Sequence, residues 1–306
     1  MVDPVVEKSF LTQRYARIKF GHTSVLGYSV AGEETVVQIP ELNVCFDAGR
    51  APQFALTSDI LCLSHAHMDH IGGLAYYISQ RHFQGMKPPV ILCPDEISDT
   101  LERLFASFRD VERQHSPYVL IGLRDGEEYE VRKDFVIRAH AVHHAGPSLG
   151  YTLVSVREKL RAEFIGKSSP ELAQMKKDGV DIQYKLEVPL VTYLGDTGYG
   201  PVFDHPDVIN AEILITECTF FESDHRQRAK SGKHLHVAEL ARVLARMSNK
   251  LVILTHVSRR TGLRKARKLL KAAVHEELLK NVHFLMDFDD AKDAGDMDQL
   301  APPVND

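Results

Sequence analysis

The stretch LSHAHMDHIGG, residues 63 to 73, places His65, His67, Asp69 and His70 within six positions of one another, directly after the apolar run Ile60 to Leu63. Crowded imidazoles bury little apolar area, so a structural use for this cluster is poor, whereas divalent metal ions use such donors well. His65 and His67 alternate along an extended segment and can address one ion. Asp69 and His70 open the helix that follows and face the neighbouring space. Further donors stand where other apolar runs stop: His143 and His144 in AVHHAGPS, Asp196 in TYLGDTG, and His256 in LTHVS. Two adjacent ions are therefore expected. His65, His67 and a third histidine would hold one, Asp69, His70 and His256 the other, with Asp196 placed to bridge.

Strand ends must carry these donors, and the sequence supplies the strands. ARIKF, SVLGYSV, ETVVQI and LNVCFDAG read as consecutive antiparallel strands. From DILCLS onward, strand and helix alternate: a helix beginning near His70, another over Asp95 to Phe108, and helical stretches after AEILITECTF and KLVILTHVS. Such alternation predicts an α/β fold of sheets covered by helices. DFVIRAHAV and SLGYTLVSV are strands between these units. SSPELAQMKKDG, with its serine cap, early proline and closing glycine, predicts a short helical insertion near 158–181. The body over 1–286 reads as one catalytic unit and 287–306 as a disordered acidic tail.

Composition excludes several classes. With 306 residues and 44% hydrophobic content the chain can bury a full core. No run approaches the roughly 18 apolar residues of a membrane span, and Asp3, Glu7 and Lys8 interrupt the start, so no membrane is involved and a cytoplasmic location is expected. Cys45, Cys62, Cys93 and Cys218 occur singly in apolar stretches and suggest neither a zinc pair nor a disulfide framework. The net charge of −5 arises in the tail after Met286, without which acids and bases balance to within one. A nucleic-acid partner then rests on local patches. Two exist, RQRAKSGK from Arg226 to Lys233 and RRTGLRKARKLLK from Arg259 to Lys271. On the second, Leu263, Ala266, Leu270 and Ala273 form an apolar stripe ringed by cations, and Arg259, Arg264, Lys265 and Lys268 are the candidate RNA contacts.

Taken in order, FDAG, LSHAHMDHIGGL, HHAGPSLGY, GDT, ECTF, KHLH and THVS resemble the metallo-β-lactamase superfamily and, within it, ribonuclease Z, the endonuclease that trims the 3′ end of precursor transfer RNA. The resemblance spans about residues 18 to 275. It implies a four-layer αββα fold, two divalent ions (zinc first, manganese or iron as alternatives), a precursor transfer RNA substrate and a homodimer. It also implies that Asp47 braces the metal loop through hydrogen bonds without being a ligand. In the family pattern the ligand lies about seven residues before the aromatic of the GY strand, which selects His144 and leaves His143 behind it. Asp69 doubles as a proton acceptor for water, and a glutamate and histidine pair protonates the departing ribose oxygen. Glu217 and His236 match that pair, with His234 and His225 as competitors for the histidine. The stretch from Arg157 to Gly179 lacks the long glycine- and proline-rich arm of bacterial members. A hydrolase of a small ester, nucleotide or xenobiotic is the rival reading, and a binding module that has lost turnover is a third.

Overall fold

The computed structural model describes residues 6–10 and 15–286, so the acidic tail expected beyond Met286 lies outside the described residues. The first sheet contains β1 (Val6–Phe10), β2 (Ala16–Phe20), β3 (Thr23–Val30), β4 (Glu34–Ile39), β5 (Val44–Phe46), β6 (Ile60–Cys62), β7 (Val90–Pro94) and β8 (Val119–Leu123), in that spatial order. Neighbours are antiparallel from β1 to β5 and parallel from β5 to β8. The switch falls where the sequence changes from hairpins to strand and helix alternation. Parallel pairing needs a crossover, and the crossovers here contain α1 (Met68–Ile71) with α2 (Leu74–Phe83), and α3 (Asp95–Glu112).

The second sheet runs β15-β14-β13-β12-β11-β10-β9, built from β9 (Glu128–Arg132), β10 (Phe135–Ala141), β11 (Leu149–Leu160), β12 (Gln183–Tyr193), β13 (Ile213–Glu217), β14 (Leu251–Thr255) and β15 (Val282–Phe284). Its covering helices are α5 (Pro206–Asn210), α6 (Arg226–Gly232), α7 (Val237–Leu244), α8 (Leu263–Ala273) and α9 (Glu276–Leu279). The period-two rule sorts the buried strand residues into two cores. Ile213, Ile215, Ile253, Tyr151 and Tyr193 face the first sheet, where Tyr193 stacks on Phe46 at 4.7 Å between ring centroids. Leu214, Val252 and Leu254 face outward and pack on Leu240, Val243, Ala266 and Leu270. Helices thus cover two stacked sheets, the αββα architecture.

The insertion near 158–181 differs from its expectation. β11 and β12 stay paired from Tyr151 with Tyr193 out to Leu160 with Gln183, so the chain forms a long two-stranded arm. Its turn carries α4 (Ser169–Lys177), capped by a reciprocal Ser168 and Glu171 pair. The serine-capped helix expected in SSPELAQMKKDG is this α4; what the expectation lacks is the strand pairing on either side of it, out to Leu160 and Gln183.

Candidate metal centre

The candidate ligands gather at one edge of the sandwich, on α1 and on segments that follow strand ends. β6 leads into the extended segment of His65 and His67; α1 presents Asp69 and His70; His144 follows β10, Asp196 follows β12 and His256 follows β14. Donor atoms of His65, His67, His144 and Asp196 lie within 4.8 Å of one another, and so do those of Asp69, His70 and His256. Asp196 lies between the two groups. Its Oδ2 is 3.8 Å from His65 Nε2, 3.9 Å from His144 Nε2, 3.4 Å from His70 Nε2 and 3.2 Å from His256 Nε2.

The opposite edges of these imidazoles are held in place. Asp47 is wholly buried; Ser64 N donates to its Oδ1 at 2.7 Å, and its Oδ2 faces His70 Nδ1 at 2.7 Å and accepts from Tyr193 Oη at 2.6 Å. Ser64 Oγ lies 3.0 Å from His65 Nδ1, His256 Nδ1 lies 2.9 Å from Thr219 Oγ1, and His144 Nδ1 donates to the Lys233 carbonyl at 3.2 Å. Fixing Nδ1 aims Nε2 inward. His65 Nε2 and His70 Nε2 are buried and without a hydrogen-bond partner among the described residues. Such orphaned nitrogens are costly unless something bonds them, and a divalent cation between two carboxylates fits that need. Burial and neighbouring imidazoles push His65 down to about 2, so it is neutral and free to ligate. Burial alone would raise Asp196 and Asp69, yet His256 and His70 hold both well below the ordinary carboxylate range.

Backbone geometry contributes to this arrangement. Asp47 and His256 have φ of 55° and 57°, left-handed values uncommon for such residues and concentrated at functional sites. Gly195, at φ 58°, brings Asp196 against the metal loop; a Cβ there would stand 2.7 Å from Ser64 Cβ.

The histidine that Glu217 contacts differs from the one expected. Glu217 is wholly buried and its Oε1 lies 2.7 Å from Nδ1 of His234, not of His236. Thr197 N also donates to Oε1, at 2.7 Å, while Thr219 Oγ1 and Leu235 N donate to Oε2 at 2.6 and 3.1 Å. With its oxygens occupied in this way, Glu217 orients its neighbours and has little capacity left for a metal. Burial would lower His234, but the Glu217 carboxylate carries it up to about 9. The His234 ring stacks on His256 at 5.2 Å between centroids, beside the metal donors. His236 instead caps α7: its Nδ1 accepts from Ala238 N at 3.1 Å and its Nε2 donates to the Glu222 carbonyl at 3.0 Å. A signal existed in the sequence, since His236 with Glu239 three residues later immediately before VAELARVL is a helix-start pattern. His143 is an exposed wall of a neighbouring cleft, with its backbone N donating to Thr197 Oγ1 at 3.1 Å.

Comparison with known proteins places this centre. Residues 43–257 match the model of the β-lactamase superfamily domain. Over 237 residues, 76% of this chain and 85% of the relative, the sequence is 38% identical to tRNase Z TRZ1 of Arabidopsis thaliana. The chain belongs to the tRNase Z family. A second family member, the chloroplastic tRNase Z TRZ2 of the same plant, is 37% identical over 78% of this chain and 68% of its own length. The fold is shared with the short form of human tRNase Z, at TM-score 0.52 and 19% identity over 78% of this chain and 87% of that one. It is also shared with the metallo-β-lactamase fold protein YhfI of Bacillus subtilis, at TM-score 0.54 and 17% identity over 86% and 87%. As a member of this superfamily the protein is a metal-dependent hydrolase that binds divalent cations, and the donor sets above suit that chemistry.

Proposed function

We propose that this tRNase Z family member is a two-metal phosphodiesterase that cleaves precursor transfer RNA at its 3′ end. The observation that carries the reading is the Glu217 and His234 pair: its donor atoms lie within 4.8 Å of those of Asp196 and His256, yet His234 Nδ1, Thr197 N, Thr219 Oγ1 and Leu235 N already occupy the Glu217 oxygens, which leaves the pair to proton transfer. His65, His67, His144 and Asp196 would hold one ion, and Asp69, His70, His256 and Asp196 the other. Nitrogen and oxygen donors in tight sets suit zinc, and manganese or iron accept the same ligands. When bound, two such ions lower the pKa of a shared water and neutralise charge on the phosphate. Asp69 Oδ2 accepts from Gly32 N at 2.9 Å, and Asp69 would be the proton acceptor for the attacking water. His234, held by Glu217, delivers a proton to the departing ribose oxygen; a ribose hydroxyl leaves poorly without one. Asp47, Ser64 and Thr219 fix the imidazoles that must not move while this happens.

RNA contacts on α8 form part of the proposal in reduced form. Arg259 is paired with Glu33, and Lys265 with Glu222. Arg264 and Lys268 are exposed and remain candidates for phosphates. A homodimer is also proposed: α2 and α3 share a groove lined in part by Phe108, and Tyr76 and Phe83 on α2 and Val111 on α3 are exposed apolar side chains of the same two helices. No helix among the described residues is long and apolar enough to cross a membrane. All four cysteines are unpaired and buried, which suits a reducing compartment such as the cytoplasm.

The test is to supply the zinc-loaded protein with precursor transfer RNA and with bis(p-nitrophenyl) phosphate. Cleavage of both, at a single position on the RNA, is expected. Hydrolysis of the chromogenic ester alone would transfer the assignment to a small-molecule hydrolase of the same fold.

A further inference from the structure

Beside His234 opens a cleft of about 770 Å³, within the range of ligand sites and far larger than any water pocket. Arg226, Lys230, Lys233 and Arg242 line it, against Glu239, whose carboxylate accepts from His236 N at 3.3 Å. Arg226, Lys230 and Arg242 are exposed and have no carboxylate partner among the described residues, unlike Arg259 and Lys265 on the other basic stretch. Three cations left unpaired around one cleft suit an anionic polymer. Their setting contains an aromatic ring as well: Tyr199, 38% exposed, with the Arg242 guanidinium carbon 4.6 Å from its centroid.

Tyr199 is not on a free loop. It follows Asp196 by three residues, and the segment between is tied to the catalytic pair by Thr197 N donating to Glu217 and to His143 by Gly198 N donating to its carbonyl at 2.8 Å. Gly198 and Gly200 lie so close to His143 that an added Cβ would stand 3.2 Å from it in each case. The backbone leading to Tyr199 is thus tied to Glu217, and its ring contacts the Arg242 guanidinium and lies nearly parallel to the ring of Phe203, 6.2 Å away between centroids.

Chemistry selects the occupant. In a displacement at phosphorus the attacking and leaving oxygens lie on opposite sides, and His234 serves the leaving side. The leaving oxygen is the 3′ oxygen of the nucleotide just upstream of the cut, so that nucleoside must lie on the His234 side, which is where the cleft opens. Resting on the phosphodiesterase reading above, we propose that the Tyr199 and Arg242 pair is a stacking platform for the base of that nucleotide, the last one retained on the processed RNA, with Arg226 and Lys230 on the phosphates behind it. Aromatic and guanidinium surfaces hold unpaired bases without reading their sequence, which suits a position that varies between RNAs.

The experiment is a double-mutant cycle between protein and RNA. The probe is a processed transfer RNA ending in a 3′ hydroxyl at that nucleotide, which cannot be cleaved again, in two versions: one with the natural base and one abasic there. Binding to zinc-loaded wild type, Tyr199→Ala and Tyr199→Phe is followed by fluorescence anisotropy, with thermal melts to verify folding. Tyr199→Ala should weaken binding of the natural RNA about tenfold and Tyr199→Phe hardly at all. Removing the base should weaken wild type by a similar factor and add nothing further in Tyr199→Ala, because both changes delete one contact. Two losses that multiply, or no loss from Tyr199→Ala in a folded protein, overturn the platform. Whether wild type cleaves precursor RNA is a separate readout, so a failed phosphodiesterase reading is distinguishable from a failed platform.

Discussion

Among the described residues two regions bring histidine and aspartate donors together, one where the two sheets meet and one on the second sheet alone, and only the first suits a metal. At the metal centre, Asp196 and Asp69 face imidazoles and form no ion pair with a lysine or arginine among the described residues. In the other, His140, His205 and Asp207 also bring donor atoms within 4.8 Å, and His140 Nδ1 is likewise buried without a partner. There, however, Arg138 donates to Asp207 Oδ2 at 2.7 Å and also to Glu187 at 2.6 Å. A guanidinium already stands where a metal would have to, and His140 Nε2 is engaged with Thr152 Oγ1 at 2.8 Å. Proximity of donors is thus not enough; what makes a metal site is anionic charge left without a protein cation. The two clusters should therefore respond oppositely to the same mutation.

Asp196→Ala produces the largest expected effect. Both donor sets lose their shared carboxylate, so bound zinc should fall from two per chain to one or none, with RNA cleavage below detection. Asp207→Ala should keep both ions, because Arg138 retains Glu187, and should cost only about 1 kcal/mol of stability. Metal analysis by mass spectrometry on the two variants checks this. Two retained ions in Asp196→Ala would remove the bridging role.

Next in size is the proton donor. His234→Ala should keep both ions and slow RNA cleavage about 10²- to 10⁴-fold, while slowing bis(p-nitrophenyl) phosphate much less, since p-nitrophenolate departs without a proton. His236→Ala should cleave RNA within about threefold of wild type and lose roughly 1 kcal/mol of stability through its missing cap. Equal losses on both substrates in His234→Ala would mean that this histidine is not the acid. Smaller again is the outer support: Asp47→Ala frees His70 Nδ1 and should weaken zinc about 10- to 100-fold, as read by competition with a chelator.

The sequence displayed the residues that the fold gathers as candidate donors more fully than the network around them. HxHxDH, GDT and THVS each sit after an apolar run, and strand ends are where parallel sheets converge, so position and chemistry coincided. The bonds that aim those rings could not be read in the same way. Ser64 stands next to His65, but Asp47 is 23 positions from His70, Thr219 is 37 from His256, and Tyr193 is 146 from the Asp47 it supports. His236 was preferred to His234 because spacing alone does not separate two histidines two residues apart. Their backbones separate them: His234 lies before the cap and can turn to Glu217, whereas the capping position turns His236 towards α7. The arm over β11 and β12 is not legible for a related reason, as VREKL suits a helix locally and becomes strand only through its partner QYKLE.

The smallest effect on catalysis belongs to the second cluster, where the comparison can be sharpened through pH. Burial is the main cause of His140 being pushed down to about 4, with His205 and Arg138 adding to it and Asp207 opposing it. In the unfolded chain an ordinary histidine titrates near 6.5, so between these values the unfolded state binds a proton that the folded state refuses. Stability from this residue is complete above about pH 6.5 and is lost as pH falls towards 4, by up to ~3 kcal/mol. His140→Gln cannot take up that proton and should lose less stability than wild type when urea melts at pH 7 and pH 4.5 are compared, with two zinc ions still bound at neutral pH. If cobalt or zinc were held by His140 and His205, the wild type would instead bind a third ion, and that ion would stabilise it most where histidine is neutral. A third equivalent lost in His140→Gln would therefore erase the distinction between the clusters, and its absence would leave Arg138 as the cation that the fold itself provides.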